Sequence, residues 1–234
     1  CVRDVLGYSE IGTFDINNVS ESMKWWLDQY AQEIEYAIAN GMEWAPVQSV
    51  DRKPVKTLVS ARWNQADPYN LLCPDYSEGR KCVTGCVATA MAQVMYYHKW
   101  PDAGTGRTAQ YKTETKKITV ASRDLSKPYN WENMLPKYKG VSYTTTQEDA
   151  VARLVADVGA TFEADYRSDG TSASTSVNQL FKYFKYDSGM TILARKDYFA
   201  EQFDNMLKKE IDAKRPVLYA GASDEGGGHS FIVD

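Results

Sequence analysis

The sequence predicts an α+β fold, and three observations carry the prediction. Apolar residues recur at helical spacing in most periodic stretches up to residue 211. Two apolar runs punctuated by glycine, Pro216 to Tyr219 and His229 to Val233, close the chain as strands. Helices first and strands late give a helical part packed on an antiparallel sheet rather than alternating β-α units.

In chain order, residues 1–18 read as a strand, a turn at Gly12 and a second strand with Phe14 and Ile16. Residues 20–40 form the clearest helix: Ser20 or Ser22 caps it, Met23, Trp26, Leu27, Tyr30, Ile34 and Ile38 make one stripe, and Gly41 stops it. Residues 42–56 carry Pro46, Gln48, Ser49, Asp51 and Pro54, the composition of an extended linker and a domain boundary. Residues 57–83 are loop-rich. A helix opens at Cys86 and is ended by Trp100-Pro101; residues 108–120 alternate as a hairpin arm. A helix over 147–158 has Gly159 past its end, and the small, polar 165–176 stretch reads as a flexible surface loop. Val177 to Phe184 is helical, Met190 to Leu193 a strand, and Asp197 caps a helix carrying Phe199, Phe203, Met206, Leu207 and Ile211.

The chemistry centres on Cys86. Ala90, Met91, Val94, Met95 and His98 mark one helix face behind it, and Gly85 precedes it where the backbone can turn sharply. A thiol in the first helical turn meets unpaired N–H groups and the positive end of the peptide dipoles, which favour thiolate. A small buried hydrophobe is the bland alternative. A nucleophilic thiol needs a base, and the chain has two histidines. His98 lies twelve residues along the same helix, roughly 18 Å away at about 1.5 Å per residue, and suits the helix end instead. His229 remains, behind the triglycine Gly226-Gly227-Gly228 and 143 positions after the cysteine. Cysteine early and histidine ~130–150 residues later is the spacing of papain-type thiol enzymes. Gln65 has an amide N–H of the kind that stabilises the negative oxygen of an acyl-transfer transition state, the cysteine's own N–H being the second donor.

Four motifs give a resemblance. Thr84-Gly85-Cys86-Val87-Ala88-Thr89-Ala90-Met91-Ala92-Gln93, Tyr97-His98-Lys99-Trp100-Pro101, Asn64-Gln65-Ala66-Asp67-Pro68-Tyr69-Asn70 and Gly228-His229-Ser230-Phe231-Ile232-Val233-Asp234 resemble the streptopain family of bacterial cysteine peptidases. Leu6-Gly7-Tyr8-Ser9 with Gly12-Thr13-Phe14-Asp15 is similar to the end of that family's propeptide, and the likeness runs along nearly the whole chain. The resemblance implies a papain-like two-part fold, a helical part carrying the catalytic Cys86 and an antiparallel sheet carrying the catalytic His229. It implies an oxyanion hole from Gln65 and the Cys86 N–H, and no metal or other cofactor. Residues 1–50 would be the C-terminal part of a propeptide, and 51–234 a catalytic domain truncated at its C-terminus. The family's Asn-Trp-Gly-Trp-Gly segment, which orients the histidine, would follow Asp234. The expected protein is a secreted endopeptidase zymogen that acts on protein and peptide substrates. Its own propeptide inhibits it, and a C-terminal fragment could complete the sheet. The rivals are a propeptide-like inhibitor or an inactive host-binding module, and a thiol amidase or transglutaminase-type enzyme.

Bulk properties fit this reading. The 234 residues, 43% of them hydrophobic, can bury a sizeable core. A net charge of −4 with no basic stripe argues against a nucleic-acid partner. No apolar run approaches the ~20 residues of a membrane span, and no signal peptide stands at the start of the chain. The chain opens at Cys1 and stops at Asp234 in or just after a strand, so its precursor is expected to extend at both ends. Besides Cys86 there are Cys1, Cys73 and Cys82; the loop between Cys73 and Cys82 is short enough to close, so a disulfide, free thiols and a zinc site all stand as readings there.

Overall fold

The computed structural model describes residues 14–19, 21–41, 56–198, 200–223 and 227–234, and the chain divides into two compact units, 1–55 and 56–234. In the first unit, α1 (Glu21–Ala39) is the long amphipathic helix. Leu27, Tyr30 and Ile34 are half-buried along its stripe, while Met23, Trp26 and Ile38 are exposed. Ser20, the first strand of the leading stretch and the Gly12 turn lie outside the described residues. The strand expected at Phe14 and Ile16 is instead a 3-10 turn, Ile16–Asn18, because the Asp15 carboxylate accepts the Asn17 N–H at 2.9 Å and closes the backbone locally.

Among its described residues the second unit is built on two packed helices and three small antiparallel pairs. β1 (Asp75–Ser77) and β2 (Arg80–Lys81) form a short hairpin, and β3 (Tyr111–Lys112) pairs β4 (Thr119–Val120) in the expected hairpin arm. α2 (Cys86–His98) packs against α3 (Thr145–Thr161) and against the hairpin of β5 (Val217–Ser223) and β6 (Gly227–Val233). Two further helices, α4 (Val177–Phe184) and α5 (Ala200–Asp212), complete it. The core between α2 and α3 is apolar and aromatic: Met91, Met95, Val151, Leu154, Val155 and Val158 with Trp63, Tyr69 and Tyr138. The polar tips of Trp63 and Tyr138 are satisfied, as buried groups usually are. Trp63 Nε1 donates to the Leu135 carbonyl at 2.9 Å and Tyr138 Oη to the Gln147 carbonyl at 2.8 Å.

Four further element expectations change. α3 passes through Gly159 to Thr161, and the glycine is there for packing: an added Cβ would collide with the hydroxyl of the buried Tyr166. Gly159 is a packing glycine, not a stop. Met190 to Leu193 forms no strand; it follows the Asp187–Gly189 turn as irregular chain, with Met190, Ile192 and Leu193 exposed. Asp197 closes a 3-10 turn, Arg195–Asp197, ahead of α5, and Phe199 lies outside the described residues. The 165–176 stretch is anchored rather than free, with Tyr166 and Thr171 buried and an antiparallel bridge between Asp165 and Ser172.

α3 also carries a buried charge. Asp157 is 1% exposed, 2.5 Å from Arg123 Nε and 3.6 Å from Arg153 Nε, and it accepts from Tyr129 Oη at 3.1 Å. Among the described residues no cluster could hold a metal ion, and no helix is long and apolar enough to cross a membrane. Cys73 and Cys82 are free and buried, so neither the disulfide nor the zinc reading holds in this structure.

Candidate active site

A cleft of about 630 Å³ is lined by Cys86, His229 and Gln65, which come from three separate parts of the second unit. Val59, Ala61, Trp63, Phe231 and Ile232 also line it. Cys86, Thr89, Ala90 and Gln93 line it at steps of three and four, one face of α2.

Cys86 is the first residue of α2 and is half-buried. Gly85 occupies the N-cap with φ 86° and ψ 149° and offers no side-chain cap to the first-turn N–H groups around the thiol. A second reason demands glycine here. An added Cβ would lie 2.8 Å from the Thr171 carbonyl oxygen and 3.0 Å from the Thr171 methyl.

Two buried threonines fix this turn from within. Thr89 Oγ1 donates to the Gly85 carbonyl at 2.9 Å and lies 2.7 Å from Thr84 Oγ1. With the Thr89 proton spent on Gly85, the Thr84 hydroxyl is the donor between the two. The Thr84 N–H donates to the Gln65 carbonyl at 3.0 Å, which ties the Gln65 backbone to the residue two before the thiol. Gln93 extends the tie, its Oε1 accepting the Trp63 N–H at 3.2 Å.

His229 stands on β6 directly opposite Gly221 of β5, a pairing that leaves its ring uncrowded from across the hairpin. Its ring is exposed and stacks on Phe231, two residues on and on the same face of the strand, with centroids 6.4 Å apart. The end of β6 is held to the start of this unit by Asp234, whose Oδ2 accepts the Val59 N–H at 2.6 Å. His98 is elsewhere, the last residue of α2, edge-on to Tyr97; partial desolvation lowers its pKa, which favours the neutral ring over the charged one expected at a helix end.

The three residues singled out from sequence therefore line one opening. The threonines were missed: Thr84 and Thr89 sit inside the cysteine motif without an assigned part, and Thr171 lies in the stretch read as flexible. The available signal was Gly85 itself, since a glycine ahead of a helix-opening cysteine implies something packed close against its backbone.

The model of the peptidase C10 family matches residues 63–234. The chain is similar to streptopain of Streptococcus pyogenes, 31% identical over 252 residues that take in 99% of this chain and 62% of streptopain. It is similar to the thiol protease/hemagglutinin PrtT of Porphyromonas gingivalis, 30% identical over 99% of this chain and 28% of that protein. Among solved structures it resembles the active wild-type interpain A cysteine protease of Prevotella intermedia, with TM-score 0.70 and 32% identity over 77% of this chain and 76% of that one. A prointerpain A fragment from the same organism matches with TM-score 0.77 and 29% identity over 97% of this chain and 72% of that one. The chain thus spans less than two thirds of the length of streptopain.

Proposed function

The chain belongs to the peptidase C10 family, and on that premise we propose that it is part of a secreted cysteine endopeptidase zymogen, with Cys86 as nucleophile and His229 as its base. The observation that carries the reading is that Cys86, His229 and Gln65 line one cleft although the last two stand 164 positions apart in sequence. Cys86 passes its proton to His229 and its sulfur attacks the scissile carbonyl. The carbonyl oxygen takes up negative charge and is held by the Gln65 amide and the Cys86 N–H. His229 then protonates the departing amine, leaving a thioester on Cys86, and afterwards draws a proton from the water that hydrolyses it. Proteins and peptides are the substrates, and the chemistry takes no metal or organic cofactor.

Residues 1–50 are read as the tail of a propeptide that keeps the enzyme latent, and 51–234 as catalytic domain. Supporting this, the pro-form of interpain matches about a fifth more of the chain than the active form does, which is about the size of the leading unit. A segment following Asp234, supplied in cis or as a separate fragment, completes the sheet and orients His229.

The test is to cleave the full chain within residues 42–55, with the segment following Asp234 supplied in cis or as a fragment, and incubate it with an unfolded protein. Mass spectrometry should show new peptide termini, absent with Cys86→Ala or His229→Ala. Gln65→Ala should lower kcat by about 100- to 1,000-fold. Ammonia release without new termini would favour an amidase. Tight inhibition of another thiol peptidase by an inert chain would favour the inhibitor reading.

A further inference from the structure

We propose that Thr171, 85 positions beyond the nucleophile, is a positioning residue that straps the backbone entering Cys86 to the end of α3; its effect on turnover rests on the peptidase reading above, and its effect on the backbone does not. The strap is a closed set of bonds. Thr171 Oγ1 donates to the Val83 carbonyl at 2.6 Å and accepts the Arg167 N–H at 3.1 Å. The Val83 N–H donates to the Arg167 carbonyl at 3.0 Å, so both backbone polar groups of Val83 are held by the 167–171 turn. One residue later the Thr84 N–H is bound to Gln65, and at Gly85 the Thr171 carbonyl and methyl press against the Cα where a side chain would stand. Residues 83, 84 and 85 are thus each fixed by a different contact, and Cys86 follows with no slack.

The turn can serve as an anchor because it is itself fixed. Tyr166 is buried against Gly159 of α3, and the Asp165 N–H donates to the Ser172 carbonyl at 2.8 Å. The Asp165 carboxylate accepts from the Thr115 N–H at 2.9 Å and the Thr115 hydroxyl at 2.5 Å. Thr171 is itself 5% exposed and is not among the residues that line the cleft; its bond is to the backbone of Val83, which is. It acts through the backbone: loss of its hydroxyl frees Val83 to drift, and the Cys86 N–H, one of the two oxyanion donors, drifts with it. An oxyanion donor works at about 2.7–3.1 Å from the developing charge and tolerates little displacement from that position, so a small drift lowers kcat while binding of the ground state is little affected.

Thr171→Val keeps shape and methyl but removes both hydrogen bonds; Thr171→Ser keeps the bonds and removes the methyl. In the full chain, hydrogen exchange at the Val83 and Thr84 amides should quicken about tenfold in Thr171→Val, the equivalent of one net hydrogen bond, and stay near wild type in Thr171→Ser. After cleavage within residues 42–55, Thr171→Val should lose about 10- to 100-fold in kcat with KM within about twofold, while alkylation of Cys86 by iodoacetamide, which needs no oxyanion hole, stays within about twofold. Unchanged exchange in Thr171→Val overturns the proposal whatever the activity. So does equal quickening in both variants, which would make the methyl, not the hydroxyl, the strap. A wild-type chain that hydrolyses nothing even with the segment following Asp234 supplied would sink the peptidase reading, and the exchange comparison would still decide the strap.

Discussion

At Gly85 the backbone has φ 86° and ψ 149°, close to a region essentially reserved for glycine, and the space for a Cβ is taken by Thr171. Gly85→Ala should therefore destabilise the chain by about 1–3 kcal/mol from strain alone and misplace the thiol turn, read as a lowered unfolding midpoint together with loss of turnover. Cysteine reactivity gives a second residue-scale outcome. Burial, reinforced by the neighbouring Cys82, pushes the Cys73 thiol up to about 12, and burial raises Cys82 as well. The reactive form is the thiolate, so a raised thiol is protonated and inert below its pKa and becomes reactive only as pH climbs toward it. At pH 8 a neutral alkylating agent should modify Cys86 and spare Cys73 and Cys82; peptide mapping that found all three equally labelled would contradict the burial seen here. At this scale the sequence was most legible where chemistry restricts the choice: two histidines, one of them on the nucleophile's own helix, left His229. Thr171 was illegible because nothing local shows that a hydroxyl in a polar stretch meets a carbonyl 88 positions earlier.

α3 shows what an element contributes. Its buried Asp157 holds Arg123 and Arg153, and Arg153 also donates to the Lys127 and Pro128 carbonyls, so one carboxylate organises the chain from 123 to 129 against the helix. Asp157→Asn should cost about 3 kcal/mol, the low end for breaking a buried pair because both guanidinium groups are about a quarter exposed; a chemical-denaturation midpoint unchanged within error would refute it. Gly159→Ala should cost about 1–3 kcal/mol by overpacking Tyr166, and it should loosen the 165–172 turn as well. Helices with strong periods were legible because their faces are set by local spacing: α1, α2 and α4 lie where the spacing puts them, and α5 carries Phe203, Met206, Leu207 and Ile211 as expected but opens after the Arg195–Asp197 turn and not at Asp197. Met190 to Leu193 was misread since an apolar run of strand length is a strand only with a partner to bond. Gly159 was misread since a glycine late in a helical period can mark close packing as well as an end.

For the whole molecule, the division at residues 55 and 56 separates a leading helical unit from the unit that contains the cleft. If the leading unit keeps the enzyme latent, cutting within 42–55 should raise peptide hydrolysis at least about tenfold, followed by the initial rate before and after limited proteolysis. The two-part design was legible in outline because a helix-borne thiol and a strand-borne imidazole can meet only where a helix packs on a hairpin, as α2 does on β5 and β6. The depth and walls of the cleft were not legible, since Val59, Trp63 and Phe231 reach it through tertiary contacts that no local spacing encodes. The most direct test of a thiol and an imidazole working as one unit is a double-mutant comparison of peptide hydrolysis by the processed chain. Each of Cys86→Ala and His229→Ala should lose at least about 1,000-fold, and the double variant little more than either alone. Losses that multiply, or hydrolysis that survives Cys86→Ala, would show that the two groups do not share one reaction.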